Sequence, residues 1–251
     1  MSRYSQILLP FHLDTVPHTT EMPELLSENR RIIAIGDVHG CLQPLKKLIE
    51  HIEPEEEDQL VFLGDMIDRG EQSKEVINYL IGLSSRYSCH FIMGNHELMY
   101  LDYLENRNIE RWLNNGGRAT LASYQSVDGW EFPEKHLLFL RNCRFSIETE
   151  NYFFTHGGLD PELSLKDNLR YYKPEEFCWQ RVHLQSSFLE RNSYKWEKTL
   201  VCAHTTLPLP VNLEKLIAID TGCVYTEKPH LGWLTAVILP ERRMFQVENR
   251  D

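Results

Sequence analysis

Five short segments of this 251-residue chain carry side chains of the kinds that bind metals and move protons. They are Gly36-Asp37-Val38-His39-Gly40, Gly64-Asp65-Met66-Ile67-Asp68-Arg69-Gly70, Gly94-Asn95-His96-Glu97, Thr155-His156-Gly157-Gly158 and Ala203-His204-Thr205. Each follows an apolar run, and the neighbouring glycines permit tight turns and close backbone approach. Taken singly, each is weak. A lone histidine after a strand is more often a hydrogen-bonded structural residue, and an Asp-Arg pair is usually a loop ion pair worth about 0–1 kcal/mol. Five such segments in register point to one metal-type site.

A regular alternation of elements positions these segments. Arg31-Ile32-Ile33-Ala34-Ile35 reads as a buried strand ending at Gly36-Asp37. Leu42, Leu45, Leu48, Ile49 and Ile52 then recur at helical spacing, with Pro44 in the first turn, where it is tolerated. The acidic stretch 53–58 ends that helix as a solvated loop. Leu60-Val61-Phe62-Leu63 is a second strand, 72–86 a helix, and His90-Phe91-Ile92-Met93 a third strand. Asp65 follows Asp37 by 28 residues and Asn95 follows Asp65 by 30, close to the ~30 residues of one βαβ unit. Parallel strands result, and the ends of such strands form the site crevice. Residues 97–141 read as mostly helical, broken at Asn114-Asn115-Gly116-Gly117, and strands are expected at 143–149, 152–155, 199–202, 216–219, 233–239 and 244–248. Three prolines (Pro10, Pro17, Pro23) make 1–30 an irregular N-terminal arm ahead of one catalytic domain, 31–251. The fold class is α/β, with two packed sheets and helices outside.

The ordered set GDVHG, GDMIDRG, GNHE, a later His-Gly and a later His-Thr resembles the phosphoprotein phosphatase family of metallophosphoesterases, and among them the bacterial and bacteriophage-lambda-type serine/threonine protein phosphatases. The resemblance spans about 31–239. It implies a calcineurin-like metallophosphoesterase fold, a two-sheet β-sandwich flanked by helices, here with a small helical cap around 97–141. It implies two divalent metal ions, with Asp37, His39 and Asp65 on one, Asp65, Asn95, His156 and His204 on the other, and Asp65 bridging. Such an oxygen and nitrogen donor set suits Mn²⁺ first, or Fe or Zn²⁺. A hydroxide shared between the metals would attack phosphorus in line. His96 would be the general acid, supported by Asp68; Arg69 and Arg181 would grip phosphate oxygens, with Asn95 also at the phosphate. The function implied is a phosphomonoester hydrolase of the serine/threonine, or dual-specificity, protein phosphatase type. The alternative is a symmetrical bis(5'-nucleosyl)-tetraphosphatase or other small-molecule phosphatase on the same dinuclear centre. Family members of that kind tend to depart from the DRG and NHE forms, both intact here, which favours the protein phosphatase. The family usually places glycine before the last histidine. Ala203 stands there, so a local change of geometry is expected where an easy positive φ is lost.

Composition narrows the partners. A formal charge of −11 argues against nucleic acid, and the absence of an apolar run near ~18 residues argues against a membrane span. The N-terminal sequence does not resemble a signal peptide, and six cysteines without a CxxC pair suit free thiols in a reducing cytoplasm. The expected partner is a phosphorylated protein or a small phosphorylated molecule. Cys41, Cys202 and Cys223 lie near site motifs; small buried hydrophobes is the default reading, with oxidative inactivation as the sharper one. Tyr100, Tyr103, Trp112, Leu113, Leu121 and Tyr124 read as a packed helical face. The sharper reading is a lid in which Arg111 or Arg118 touches phosphate.

Overall fold

The computed structural model describes residues 23–106, 109–127 and 129–250, so most of the expected arm lies outside the described residues. In chain order the first elements are β1 (Glu24–Leu25), β2 (Ile32–Ile35), α1 (Leu42–Ile52), β3 (Gln59–Phe62), α2 (Ser73–Leu83), β4 (Ser88–Phe91) and α3 (Asn95–Asn106). The cap continues with α4 (Ile109–Trp112), a wide turn Leu113–Gly117, α5 (Arg118–Ser123), the two-residue strands β5 (Gln125–Ser126) and β6 (Gly129–Trp130), and α6 (Glu134–Arg141). The second half holds β7 (Ser146–Glu148), β8 (Tyr152–Thr155), α7 (Leu165–Tyr171), α8 (Ser186–Arg191), β9 (Thr199–Cys202), β10 (Val211–Asn212), β11 (Leu216–Ala218), β12 (Trp233–Leu239) and β13 (Arg243–Glu248). Two short 3₁₀ turns, Pro174–Cys178 and Val182–Leu184, lie between α7 and α8.

One sheet runs β13-β12-β2-β3-β4 and the other β1-β7-β8-β9-β11-β10. The strands β2, β3 and β4 are parallel, as the repeated spacing predicts, while β12 lies antiparallel beside β2. The continuous apolar runs sort by the two-residue period of a strand. Ile32 and Ala34 of β2, Val61 of β3, Phe154 of β8, Val201 of β9, Ile217 of β11 and Val237 of β12 fill the layer between the sheets. Their alternate neighbours Ile33, Ile35, Leu60 and Phe62 face α1 and α2; Phe153, Leu200, Cys202 and Leu216 face the other side. The result is a two-sheet sandwich with helices outside, the architecture that the resemblance implies.

Some boundaries differ from expectation. Helix α2 is shorter than 72–86, and strand 143–149 contracts to β7. The strands β1, β5, β6 and β10 have two residues each, too few to show a period. The acidic stretch 53–58 ends α1 as expected, with Glu53 at φ +50°, but it is not wholly solvated. Asp58 is buried, pairs with Arg31 at the base of β2, and accepts the Glu55 N–H at 2.8 Å. Burial of that carboxylate is tolerated because both its oxygens are paired.

Candidate metal centre

The five segments meet at the ends of β2, β3, β4, β8 and β9, and the site is built around Asp65. Its Oδ2 lies 3.4 Å from His39 Nε2, 3.3 Å from His156 Nε2 and 3.9 Å from His96 Nε2. Its Oδ1 accepts the His96 backbone N–H at 3.0 Å. Two ligand-type groups share it: His39, Asp65 and His96, and Asp65, His156 and His204. Asn95 Oδ1 stands 3.0 Å from His156 Nε2, and His204 Nδ1 stands 3.1 Å from the same nitrogen. Asp37 lies just outside the first group, with Oδ2 4.0 Å from His39 Nε2, and its Oδ1 accepts the His204 N–H at 3.3 Å. All the sequence-derived ligands are therefore brought together, and His96, expected only as the proton donor, also faces Asp65.

The tautomers follow from the backbone. His39 Nδ1–H donates to the Ile67 carbonyl at 2.9 Å and His156 Nδ1–H to the Leu63 carbonyl at 2.7 Å. In its neutral form each imidazole thus turns an Nε2 lone pair inward, the arrangement that fixes a metal-ligating histidine. Lone pairs of His156, His204 and Asn95 then converge where water is excluded, and the buried His96 Nε2 and His204 Nε2 have no hydrogen-bond partner. Such crowding costs free energy unless a cation joins it. The residues fit a pair of divalent ions, with Asp65 common to both.

The electrostatics agree. Burial alone would raise Asp65, but His156, His96 and His39 hold its carboxyl well below the usual range. Burial and the charge of Asp220 push Asp37 well above it. Burial would lower His156, yet Asp65 and Asp37 outweigh it and push the imidazole up to about 9. Burial, then the facing His156, brings His204 down to about 2. One positive charge is drawn onto His156 because the carboxylates demand one, and a metal meets the same demand.

The backbone is bent to make this arrangement. His39 (φ +45°), Asp65 (+50°), Asp68 (+72°), Arg69 (+68°) and His204 (+64°) all occupy the left-handed region, a cost of order 1–3 kcal/mol each that clusters at functional sites. Ala203 does not itself take a positive φ. The positive φ falls on His204 itself, and Ala203 is buried between the sheets with ordinary φ.

Beside the metal ligands, His96 Nδ1 and Asp68 Oδ2 are 2.8 Å apart. Both are fully buried, which raises the Asp68 carboxyl against the opposing pull of His96. Asp68 accepts Trp112 Nε1–H at 3.0 Å and Thr120 Oγ1–H at 2.7 Å, both from the cap. Arg69 sets its guanidinium against His39 Nε2 and 5.7 Å over the Tyr225 ring. Its backbone N–H donates to Gly116 O at 3.2 Å. Gly116 sits at φ +110°, and a Cβ there would lie 2.7 Å from Arg69 Cγ, so the break in the cap helices is the surface on which Arg69 rests. Arg181 precedes the turn Val182–Leu184, is exposed, and helps to lower His204.

Four residues outside the sequence-derived set contribute, the last two as a pair. Glu97, part of its motif but without a role in the sequence pattern, is fully buried. It accepts the backbone N–H groups of Asp65 (2.8 Å), Met66 (2.7 Å), Ile67 (3.2 Å) and Gly94 (3.1 Å). Burial, then the Asp65 charge, pushes it up to about 7. Asp220 follows β11 as the other site residues follow their strands, is buried, and accepts Thr206 Oγ1–H and Gly222 N–H, each at 2.9 Å. The same strand-then-Asp-Thr-Gly signal could have found it. The pair, Trp112 with Thr120, has no local signal. In the cap, Tyr100, Tyr103, Trp112, Leu113, Leu121 and Tyr124 are buried and packed. Arg111 reaches out to lie 5.1 Å over the Trp179 ring, which is 6.0 Å from the His204 ring, while Arg118 is exposed at the start of α5. Cys41, Cys202 and Cys223 are all buried, and burial pushes the Cys202 thiol up. Among the described residues no helix is long and apolar enough to cross a membrane.

The chain is similar to known proteins. A symmetrical bis(5'-nucleosyl)-tetraphosphatase of Pseudomonas syringae pv. syringae (strain B728a) is 29% identical over 165 residues, 63% of this chain and 52% of that protein. The chain thus spans about half the length of such symmetrical relatives. The asymmetrical bis(5'-nucleosyl)-tetraphosphatase PrpE of Oceanobacillus iheyensis is 27% identical over 248 residues, 88% of this chain and 93% of that protein. A solved structure of a candidate diadenosine tetraphosphatase superposes with a TM-score of 0.65 at 21% identity, covering 92% of this chain and all of its own; that likeness is one of fold. A profile of the calcineurin-like phosphoesterases matches residues 30–234, and the chain belongs to that family.

Proposed function

We propose that this phosphoesterase hydrolyses dinucleoside tetraphosphates, the substrate class of the alternative considered from the sequence, which named the symmetrical enzyme. The observation that carries the reading is the asymmetrical tetraphosphatase relative, matched over 93% of its length. The intact Asp68-Arg69-Gly70 and Asn95-His96-Glu97 motifs do not separate this from a protein phosphatase. Their side chains handle the phosphoryl group, which both substrates present, and leave what hangs from it unread.

Arg69 and Arg181 grip phosphate oxygens from two sides of the centre, and Asn95 orients toward the same group. Two divalent ions, Mn²⁺ being the favoured pair, would be held by Asp37, His39, Asp65, Asn95, His156 and His204, and when bound they neutralise phosphoryl charge and acidify water. His96 donates a proton from Nε2 to the leaving oxygen. Asp68 holds the opposite nitrogen, so the ring cannot turn. Glu97 keeps the Asp65 loop in place by four N–H bonds. Removing one such positioning group costs more than its own bond, since the left-handed residues it restrains relax together.

The test is a comparison of kcat/KM for Mn²⁺-loaded protein on diadenosine tetraphosphate, a phosphopeptide panel and an aryl phosphate. Preference for the dinucleotide is expected; preference for a phosphopeptide overturns the reading.

A further inference from the structure

A cavity of about 460 Å³ opens beside the metal centre, lined among others by Gln43, Arg69, Glu71, Gln72, Thr226 and Asn249. It shares a wall with the centre, because Gly40 and Cys41, which follow His39, line it too. That wall is rigid: Gly70 N–H donates to His39 O at 3.0 Å, Gly40 N–H to Met66 O at 3.0 Å, and Gln72 N–H to Gly40 O at 3.1 Å. The far wall is the segment between Asp220 and β12. Asn249 ties it down through Cys223 O at 2.9 Å and Gly232 O at 2.7 Å. The cavity is therefore preformed, and its size falls within the range of small-molecule sites.

Its lining is informative. A site for phosphate alone would gather cations, but here one guanidinium stands at the inner edge and a carboxylate, Glu71, stands inside. Two side-chain amides, Gln43 and Gln72, each offer a donor and an acceptor on one plane, the pattern that reads a nucleobase edge, while the Asn249 amide nitrogen is spent on Cys223 O and Cys41 Sγ. An exposed carboxylate among them suits a ribose diol, as in dinucleotide folds. Arg69 connects the two regions, reaching His39 from the cavity rim. His96 lies on that same side, its ring 4.7 Å from the His39 ring, so the cavity is where a departing group protonated by His96 would extend.

We propose that this cavity is a nucleoside subsite, holding the base and ribose of the departing nucleotide while its phosphate chain runs back past Arg69. The inference rests on the tetraphosphatase reading and adds to it the residues that recognise the nucleoside. Titration calorimetry of the metal-loaded protein with AMP, ribose 5-phosphate and inorganic phosphate tests it without turnover. AMP is expected to bind at least ten-fold more tightly than ribose 5-phosphate. The Gln43→Ala/Glu71→Ala variant, altered at two exposed positions, loses that margin and keeps its affinity for inorganic phosphate. A Glu71→Ala single variant loses the preference for AMP over 2′,3′-dideoxy-AMP. Equal binding of AMP and ribose 5-phosphate by the unaltered protein, or full AMP affinity in the double variant, overturns the subsite. Hydrolysis of diadenosine tetraphosphate is measured in parallel. Tight AMP binding without dinucleotide turnover refutes the proposed function and leaves the subsite standing; turnover without the AMP margin refutes the subsite alone.

Discussion

At the scale of single residues, the proton-donor role proposed for His96 makes its contribution depend on the leaving group. A general acid contributes about 10²–10⁴-fold, and most where the departing oxygen is basic. The His96→Asn variant should therefore lose kcat/KM by about that factor on an alkyl phosphate and by much less on p-nitrophenyl phosphate. Equal losses on both would mean that His96 acts as a ligand of the group it shares with His39 and Asp65, with no proton to give. The family resemblance carried by the ordered motifs makes this pair legible: a histidine directly after a strand-end asparagine, and an aspartate in the preceding loop. The work of Glu97 is not legible in the same way, since its four partners are backbone N–H groups, and sequence says nothing about which amides a carboxylate will find.

At the scale of elements, the cap buttresses Asp68. Trp112 and Thr120 come from α4 and α5, yet both donate to Asp68, which lies 44 and 52 residues earlier. Hydrogen bonds to a charged, buried group are worth about 1.5–3 kcal/mol. Trp112→Phe, which keeps the ring packed against Tyr100 and Tyr103, should lower kcat by about ten-fold with little change in KM. A change confined to KM would assign Trp112 to substrate contact. The alternation of strand and helix through β3 is readable because apolar runs of four or more residues announce themselves, whereas β4, Ser88–Phe91, lies two residues before the strand expected at 90–93 because Ser88 and Cys89 pair with β3 without adding to an apolar run. The hairpin of β5 and β6 and the edge strands β1 and β10 are not, because pairing decides such short strands and local sequence does not. Asp220 shows the opposite case: the strand-end pattern is present, but no neighbouring histidine marks it as a site.

At the scale of the whole molecule, the centre links both sheets: Asp37, Asp65 and Asn95 follow strands of one, and His156, His204 and Asp220 follow strands of the other. Ions that bind only the folded chain add about 2.7 kcal/mol of stability at a hundred times their dissociation constant. Adding Mn²⁺ to chelator-treated protein should thus raise the Tm by several degrees, with two ions bound per chain by elemental analysis, and Asp65→Asn should abolish most of the rise. A rise that survives Asp65→Asn would place the ions elsewhere. The net charge of −11 is compatible with such a phosphate-attracting site, because part of the acidic charge is turned inward toward the ions.

The pairing of β2 with β12 has a consequence for synthesis. β2, which leads into Asp37 and His39, lies between β3 and β12, and β12 is made almost 200 residues later. At ribosomal speeds of about 5–20 residues per second, that edge of β2 stays unpaired for roughly 10–40 s. An apolar strand with a free edge is a template for pairing with other chains. The nascent chain is at greatest risk of aggregation in this interval, before its last long strands emerge.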